Sequence, residues 1–237
     1  AISKDRADYY VGEAIKWLEG FNFGYKHDDP STWRKENLPR NNKGGLYSAY
    51  SIAHAQFMWD AKTEPGVVEI FEQIWGTDKL TVSFDGGNFS VPLPKEQLED
   101  GGAPWPHMDQ SPLKPQLASI QGILNLLPNG PKDGGLTVVT GSTKYFEEIW
   151  DYFKDTNGPY DAHDHIKCND EQMAWLAERG CYIEKPCLEP GDFIVWDSRT
   201  VHWGAAPEEQ NHRMAVYTCY KPDAFLSDEA RKLKIEY

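Results

Sequence analysis

The chain has 237 residues, with 24 basic against 37 acidic side chains and a formal net charge of −13. This acidic balance argues against nucleic acid as a partner, because such binding needs a basic face. No apolar run approaches the roughly 20 residues that a membrane helix needs, so we expect no membrane partner. The length fits a single domain over residues 1–237.

Two amphipathic helices are predicted in the N-terminal third of the chain. Apolar side chains recur at helical spacing over residues 5–20. A second helix begins at Pro65 and ends at Gly76, because proline suits the first turn of a helix and glycine its end. Residues 24–50 lack clear periodicity and are interpreted as a long loop or a pair of short strands. Both helices are expected to support the rest of the domain.

Short β-like runs punctuated by glycine and proline begin near residue 80. They predict a mainly β fold with flanking helices, in the form of a sandwich or jelly roll. Two helices interrupt the strands, one over about 143–154 and one from an N-cap at Asn169 to Gly180. The predicted strands are Leu80–Phe84, Phe89–Leu93, Leu117–Leu127, Leu136–Thr140, Cys181–Leu188, Asp192–Trp196 and Arg213–Tyr220. The predicted parts of the domain are a support region over 1–79, a β core over 80–220 with a helical insert at about 141–180, and a tail over 221–237.

A metal site is predicted from two separate segments. His107 and Asp109 are two residues apart, so on an extended strand both side chains point to one face and can reach one metal ion. His202 supplies a second imidazole. Two histidines and one carboxylate that leave other positions open are typical of non-heme Fe(II) oxygenases. These three residues are therefore the predicted metal ligands and catalytic residues.

Two further residues are predicted to bind a cofactor. Arg213 begins an apolar run eleven residues after His202, and its planar guanidinium could hold a dicarboxylate cosubstrate by two hydrogen bonds. An ordinary ion pair at the rim is the alternative for Arg213. Gln121 belongs to a polar line that alternates with apolar residues, so it could face the interior of the fold. Its partner there could be the cosubstrate carboxylate or a neighbouring backbone group.

The segments around these residues resemble the phytanoyl-CoA dioxygenase family of Fe(II)- and 2-oxoglutarate-dependent oxygenases. The resemblance covers about residues 80–220 and rests on Pro104–Gln110, Gly134–Ser142, Pro190–His202 and Arg213. It implies a double-stranded β-helix of the cupin type, and by analogy it adds Asn88 to the cofactor-binding residues. Thr143 and Lys144 stand where the family often has a histidine, so the type of substrate stays open.

The resemblance implies a dioxygenase that uses Fe(II), 2-oxoglutarate and O2. The expected reaction is oxidation of a small or medium-sized organic molecule, with succinate and CO2 as co-products. Asp109 favours hydroxylation or another ordinary oxidation, since related halogenases carry a small residue in that place. Two alternatives stay open: a cupin-like metal-dependent hydrolase or isomerase, and a non-catalytic metal-binding barrel.

Three remaining features lead to weaker expectations. His163 and His165 are also two residues apart, but they lie in a polar segment and are expected to be solvated. The basic stretch over residues 33–43 is interpreted as a solvated loop, with a lid over an anionic substrate as the alternative. The four cysteines are not closely paired, and the N-terminus has no signal-peptide core, so we expect a cytoplasmic protein with reduced thiols. Two disulfides in a secreted protein are the alternative.

Overall fold

The structure, a computed structural model, describes residues 1–97, 103–208 and 211–236. Its elements are two antiparallel β-sheets with helices on their outer faces, which confirms the predicted mainly β fold with flanking helices. The helices are α1 (Lys4–Glu19), α2 (Gln56–Lys62), α3 (Pro65–Trp75), α4 (Phe146–Tyr152), α5 (Lys154–Asn157), α6 (Asp170–Glu178) and α7 (Asp228–Glu236). The strands are β1 (Leu46–Tyr47), β2 (Leu80–Val82), β3 (Gly87–Ser90), β4 (His107–Met108), β5 (Ile120–Asn125), β6 (Gly135–Thr140), β7 (Ile166–Lys167), β8 (Tyr182–Glu184), β9 (Phe193–Asp197), β10 (His202–Ala205) and β11 (Arg213–Pro222).

The first sheet has the strand order β1-β3-β11-β5-β9, and β2 also pairs with β11. The second sheet has the order β7-β4-β10-β6-β8. Neighbouring strands come from distant parts of the chain, as expected when a sheet pair is wound as a jelly roll. A small apolar cluster of Ile123, Leu136 and Ala215 packs between the sheets, so these residues mark the interior of the fold.

The larger apolar clusters lie on the outer faces of the sheets. Helices α1, α2 and α3 cover the first sheet, with Tyr10, Met58 and Phe71 fully or almost fully buried against it. Helices α4 and α6 cover the second sheet through Ile149 and Leu176. Large side chains thus fill the space between each sheet and the helices that cover it. The space between the two sheets contains a cavity at the predicted site.

The helix boundaries follow local capping chemistry. Ser3 caps α1 by accepting a hydrogen bond from the backbone of Arg6. Asn169 and Gln172 form the reciprocal capping box that the sequence predicts at the start of α6. Gly76 ends α3 in a left-handed conformation, with φ of 66°. None of the helices in the described ranges is both long and apolar enough to span a bilayer.

Several elements differ from the sequence-based expectation. Strands β1, β4, β7 and β10 have two to four residues, too few to produce a periodic signal. The segment over 24–50 contains β1 and two short 3-10 turns rather than two strands of its own. The predicted tail contains helix α7, and the last strand continues to Pro222. The strands predicted over Leu117–Leu127 and Cys181–Leu188 are shorter than expected, since only Ile120–Asn125 and Tyr182–Glu184 belong to the hydrogen-bonded ladders.

Candidate metal centre

The second sheet places two imidazoles side by side. Strands β4 and β10 are antiparallel, and His107 and His202 are direct partners in their register. The two ring centroids lie 4.3 Å apart. Asp109 follows β4, and its backbone N–H donates to the carbonyl of Ser198 at 3.0 Å, which ties this residue to the turn before β10. Pairing of two short strands therefore brings the predicted ligands together from positions nearly a hundred residues apart.

Both histidines present the same nitrogen to the site. Nδ1 of His107 lies 3.2 Å from the carbonyl of Trp105, and Nδ1 of His202 lies 2.9 Å from the carbonyl of Thr200. A carbonyl can only accept, so each Nδ1 carries the proton and each Nε2 has a free lone pair. Trp105 also stacks on the ring of His107, with centroids 4.6 Å apart and an interplanar angle of 7°. The rings are thus oriented as metal ligands usually are.

Asp109 stands between the imidazoles. Its Oδ1 lies 3.3 Å from Nε2 of His107, and its Oδ2 lies 3.4 Å from Nε2 of His202. Burial acts to raise the pKa of Asp109, but the close contacts with His107 and His202 outweigh it and lower the pKa of this carboxyl well below its usual range. Burial also lowers the pKa of His107. A deprotonated carboxylate beside neutral imidazoles is the state that binds a divalent metal.

A third imidazole lies at the same carboxylate. Nδ1 of His165 is 3.3 Å from Oδ1 of Asp109, and the ring of His165 lies 4.4 Å from that of His107. The potential ligand atoms of His107, Asp109 and His165 all lie within 4.8 Å of one another. His163 and His165 are both exposed, as predicted, but only His165 also contacts Asp109. The exposed ring of His163 contacts Asp161 instead. The sequence spacing gave no sign of the contact between His165 and Asp109, because it depends on how the insert folds back onto β4.

Arg213 is buried at the start of β11, in the opposite sheet. Its Nε is buried and has no hydrogen-bond partner within the described residues. Gly135 lies directly beside it, since a Cβ at that glycine would be 2.7 Å from Nε of Arg213. A buried N–H without a partner is costly, so a ligand with a carboxylate would fit this place. The rim ion pair considered for Arg213 is not observed among the described residues.

One cavity of about 660 Å³ connects these groups. All six predicted site residues line it: Asn88, His107, Asp109, Gln121, His202 and Arg213. Nε2 of Gln121 donates to Oδ2 of Asp109 at 2.7 Å, and its Oε1 is buried without a partner in the described chain. Oδ1 of Asn88 accepts from Ser90 at 2.8 Å. Gln121 thus contacts the carboxylate of Asp109 directly, whereas Asn88 contacts Ser90.

The wall of the cavity combines aromatic and polar residues. Trp105, Phe84 and Trp196 line it, as do residues 43 and 44 of the N-terminal loop segment. Nζ of Lys43 lies 5.0 Å from the ring centroid of Trp105. The end of the basic stretch therefore reaches the cavity, in agreement with the lid alternative for this segment, while Arg34 and Lys35 are exposed.

Comparison with known proteins gives two related sequences. The chain is 40% identical to Ava biosynthesis cluster protein O of Aspergillus versicolor, over 99% of this chain and 76% of that protein. It is 22% identical to a putative phytanoyl-CoA dioxygenase of Dictyostelium discoideum, over 91% of this chain and 69% of that protein. No family model matches the chain.

Solved structures share the fold at low sequence identity. EctD from S. alaskensis in its apo form has a TM-score of 0.60 at 15% identity, covering 97% of this chain and 73% of that one. The non-heme α-ketoglutarate-dependent epimerase SnoN from nogalamycin biosynthesis has a TM-score of 0.55 at 15% identity, covering 93% and 74%. At a sequence identity of 15%, this structural similarity shows that the fold is shared and nothing more.

Proposed function

The chain belongs to the phytanoyl-CoA dioxygenase-like family of Fe(II)- and 2-oxoglutarate-dependent oxygenases, and from this premise we propose that it oxidises a small or medium-sized organic molecule in the cavity between its sheets. The observation that carries the proposal is the distribution of groups along that cavity. His107, Asp109 and His202 meet at one place, and the Nε of Arg213, buried and without a partner within the described residues, lies in the opposite sheet.

The proposed metal ligands are Nε2 of His107, Nε2 of His202 and the carboxylate of Asp109. Two ligands at right angles on a metal with bonds of ~2.1 Å lie about 3.0 Å apart. The observed contacts of 3.3 and 3.4 Å need to shorten by a few tenths of an ångström, which side-chain rotation allows. Imidazole and carboxylate ligands with open positions suit Fe(II).

The proposed seat of 2-oxoglutarate is the cavity between this centre and Arg213. Arg213 would receive the carboxylate remote from the metal, because its buried Nε has no partner in the described chain and a carboxylate can accept two hydrogen bonds from one guanidinium. Gln121 and Asn88 are proposed to line this seat, and Gln121 has the additional task of orienting Asp109.

The cavity also has room for a substrate. Pockets for organic ligands usually measure about 300–1,000 Å³, and the cavity of about 660 Å³ is well within that range. Trp105, Phe84 and Trp196 offer an aromatic wall for a molecule with apolar rings. The relative from Aspergillus versicolor is named for a biosynthesis cluster, and EctD has been seen with 2-oxoglutarate and 5-hydroxyectoine, both of which support a small-molecule substrate.

The proposed reaction inserts one oxygen atom of O2 into a C–H bond of the substrate. The other oxygen atom enters succinate as 2-oxoglutarate loses CO2, so substrate, O2 and 2-oxoglutarate give hydroxylated substrate, succinate and CO2. Bound iron and 2-oxoglutarate supply this oxidising chemistry. The protein would hold the metal by His107, Asp109 and His202, fix the cosubstrate by Arg213, and place the substrate against the aromatic wall.

An anaerobic absorption experiment tests this proposal. Fe(II) followed by 2-oxoglutarate should produce a visible charge-transfer band in the wild-type protein. His107→Ala should abolish the band together with metal binding, whereas Arg213→Ala should still bind Fe(II) and lose the band at moderate 2-oxoglutarate concentration. Arg179→Ala, on helix α6's C-terminal side and away from the cavity, is the control. Bound iron without any band would contradict the proposal and favour a hydrolase or a non-catalytic metal site.

A further inference from the structure

His165 lies in the insert between the two proposed metal-ligand segments, and the chain is anchored by contacts on both sides of it. On its C-terminal side, β7 pairs with β4, and Lys167 is the direct partner of His107. On its N-terminal side, Asp164 accepts a hydrogen bond from the backbone N–H of Ser111 at 2.8 Å. Asp164 also forms an ion pair with Lys114 at 2.9 Å. His165 therefore projects from a short span anchored at both ends.

The backbone of His165 adds a second observation. Its φ is +71°, in the left-handed region, where residues other than glycine are uncommon although asparagine, aspartate and histidine are enriched. This conformation turns the imidazole toward Asp109, where Nδ1 lies 3.3 Å from Oδ1. Strained residues concentrate at functional sites, because the surrounding structure has to hold them in place.

The distances suit coordination to the metal that His107 and Asp109 would share. Oδ1 of Asp109 lies 3.3 Å from His107 and 3.3 Å from His165, close to the ~3.0 Å between neighbouring ligands of one ion with bonds of ~2.1 Å. His165 differs from the other two histidines in exposure. Its side chain is 49% exposed, whereas those of His107 and His202 are 4% and 7% exposed.

We propose that His165 is an exchangeable fourth ligand of this metal centre, bound through Nδ1 on the side open to the cavity and displaced when substrate enters. The proposal rests on the proposed function. Three fixed protein ligands and a chelating 2-oxoacid occupy five of six octahedral positions, so a fourth protein ligand has to leave before the centre can react. His165 thereby links opening of the centre to the presence of substrate, and it protects the centre from oxidation without substrate.

Metal binding tests the coordination directly. The variant is His165→Asn, because asparagine tolerates the left-handed backbone conformation while removing the imidazole. The matched control is His163→Asn, two residues away in the same segment, with an exposed ring directed at Asp161. Co(II) serves as the probe in the full chain, with its dissociation constant from calorimetry and its visible d–d spectrum as readouts.

We expect His165→Asn to weaken Co(II) binding about tenfold, at the lower end of the range for lost partners of a metal site, and to change the d–d spectrum. His163→Asn should match wild type in both. Substrate-independent consumption of 2-oxoglutarate with Fe(II) should rise in His165→Asn. Wild-type affinity and an unchanged spectrum in His165→Asn would overturn the role of His165 alone. If the wild-type protein did not bind Co(II), or if His107→Ala bound it as tightly as wild type, the proposed metal centre itself would be overturned.

Discussion

Nε2 of Gln121 donates a hydrogen bond of 2.7 Å to Oδ2 of Asp109, and this contact joins the two sheets at the proposed metal centre. Gln121 belongs to β5 in the first sheet, whereas Asp109 follows β4 in the second. The carboxylate is therefore held from both sides, by imidazoles of its own sheet and by an amide of the opposite sheet. A carboxylate with one oxygen restrained in this way needs less reordering when a metal arrives.

Gln121→Leu should weaken metal binding by about 10- to 100-fold, the range typical for loss of a residue that orients a metal ligand. The side chain keeps its approximate volume, so the expected effect is on affinity rather than on folding. Calorimetric titration with Mn(II) measures it. Gln73→Leu, an exposed change on α3, should bind Mn(II) as wild type does. Unchanged affinity in Gln121→Leu would show that the imidazoles alone fix the carboxylate.

Gly135→Ala should disturb the Arg213 end of the cavity. The glycine has φ of +98°, and an added Cβ would lie 2.7 Å from Nε of Arg213, so either the backbone or the guanidinium has to move. We expect a loss of about 1–3 kcal/mol in the free energy of unfolding and weaker 2-oxoglutarate binding, with Fe(II) affinity preserved. Denaturant unfolding and the anaerobic charge-transfer titration measure the two effects.

Gly12→Ala is the matched control for this change. Gly12 lies within α1, and a Cβ there meets no atom within 4 Å. Since glycine inside a helix is less stable than alanine, the control should gain roughly 0.5–1 kcal/mol. If Gly135→Ala were also neutral or stabilising, the close packing of Arg213 against this turn would not matter for the site.

The predictability of the fold varied with the length of each element. Helices α1, α3 and α6 follow from apolar spacing and capping residues, because their signals extend over nine residues or more. Strands of two residues such as β4 and β7 form because a neighbouring strand supplies their hydrogen bonds, so no local sequence pattern predicts them. Seven-residue α2 is likewise defined by burial of its apolar face against β11 and α1.

The proposed metal centre was predictable to a similar degree. His107 and Asp109 are two residues apart in sequence, and the surrounding motifs lead to His202 and Arg213. The contact between Gln121 and Asp109 requires knowledge of how the two sheets face each other, although the alternation along β5 did point Gln121 inward. His165 could not be assigned, because its position depends on the pairing of β7 with β4 and on a left-handed backbone conformation.

Lys62→Met should destabilise the protein. Lys62 is fully buried in α2, and its Nζ donates to the carbonyls of Asp85 at 2.6 Å and Ser83 at 3.3 Å. Burial lowers the pKa of Lys62 to about 8. Methionine fills the same space but donates no hydrogen bond, so the expected loss is about 1–3 kcal/mol for the unsatisfied carbonyls. The midpoint of denaturant unfolding measures it, with the exposed change Lys79→Met as control. Equal midpoints for both variants would mean that water replaces the lysine without cost.

A cluster of aromatic rings ties the N-terminal loop segment to the start of β11. The rings of His27 and His212 lie 4.6 Å apart, and the hydroxyl of Tyr25 contacts both, at 3.2 and 3.4 Å. Trp33 packs edge-on against His212 at 4.4 Å. Burial, and then the nearby His27, lower the pKa of His212 to about 4 from an ordinary value of 6.5. The folded protein therefore holds His212 neutral at pH values where the unfolded chain is protonated.

Acidification should consequently weaken the fold through His212. Above pH 6.5, His212 is neutral in both the folded and the unfolded state and does not change the free energy of unfolding. Between about pH 6.5 and pH 4 the unfolded state binds the proton first, so the free energy of unfolding falls as the pH falls. Below about 4 both states are protonated and the loss is complete. After allowance for partial solvent exposure, the expected loss is about 1–2 kcal/mol.

His212→Asn should reduce the fall in unfolding free energy between pH 7 and pH 4.5 relative to wild type, whereas His163→Asn should leave it unchanged. Parallel pH profiles for wild type and His212→Asn would contradict the lowered pKa.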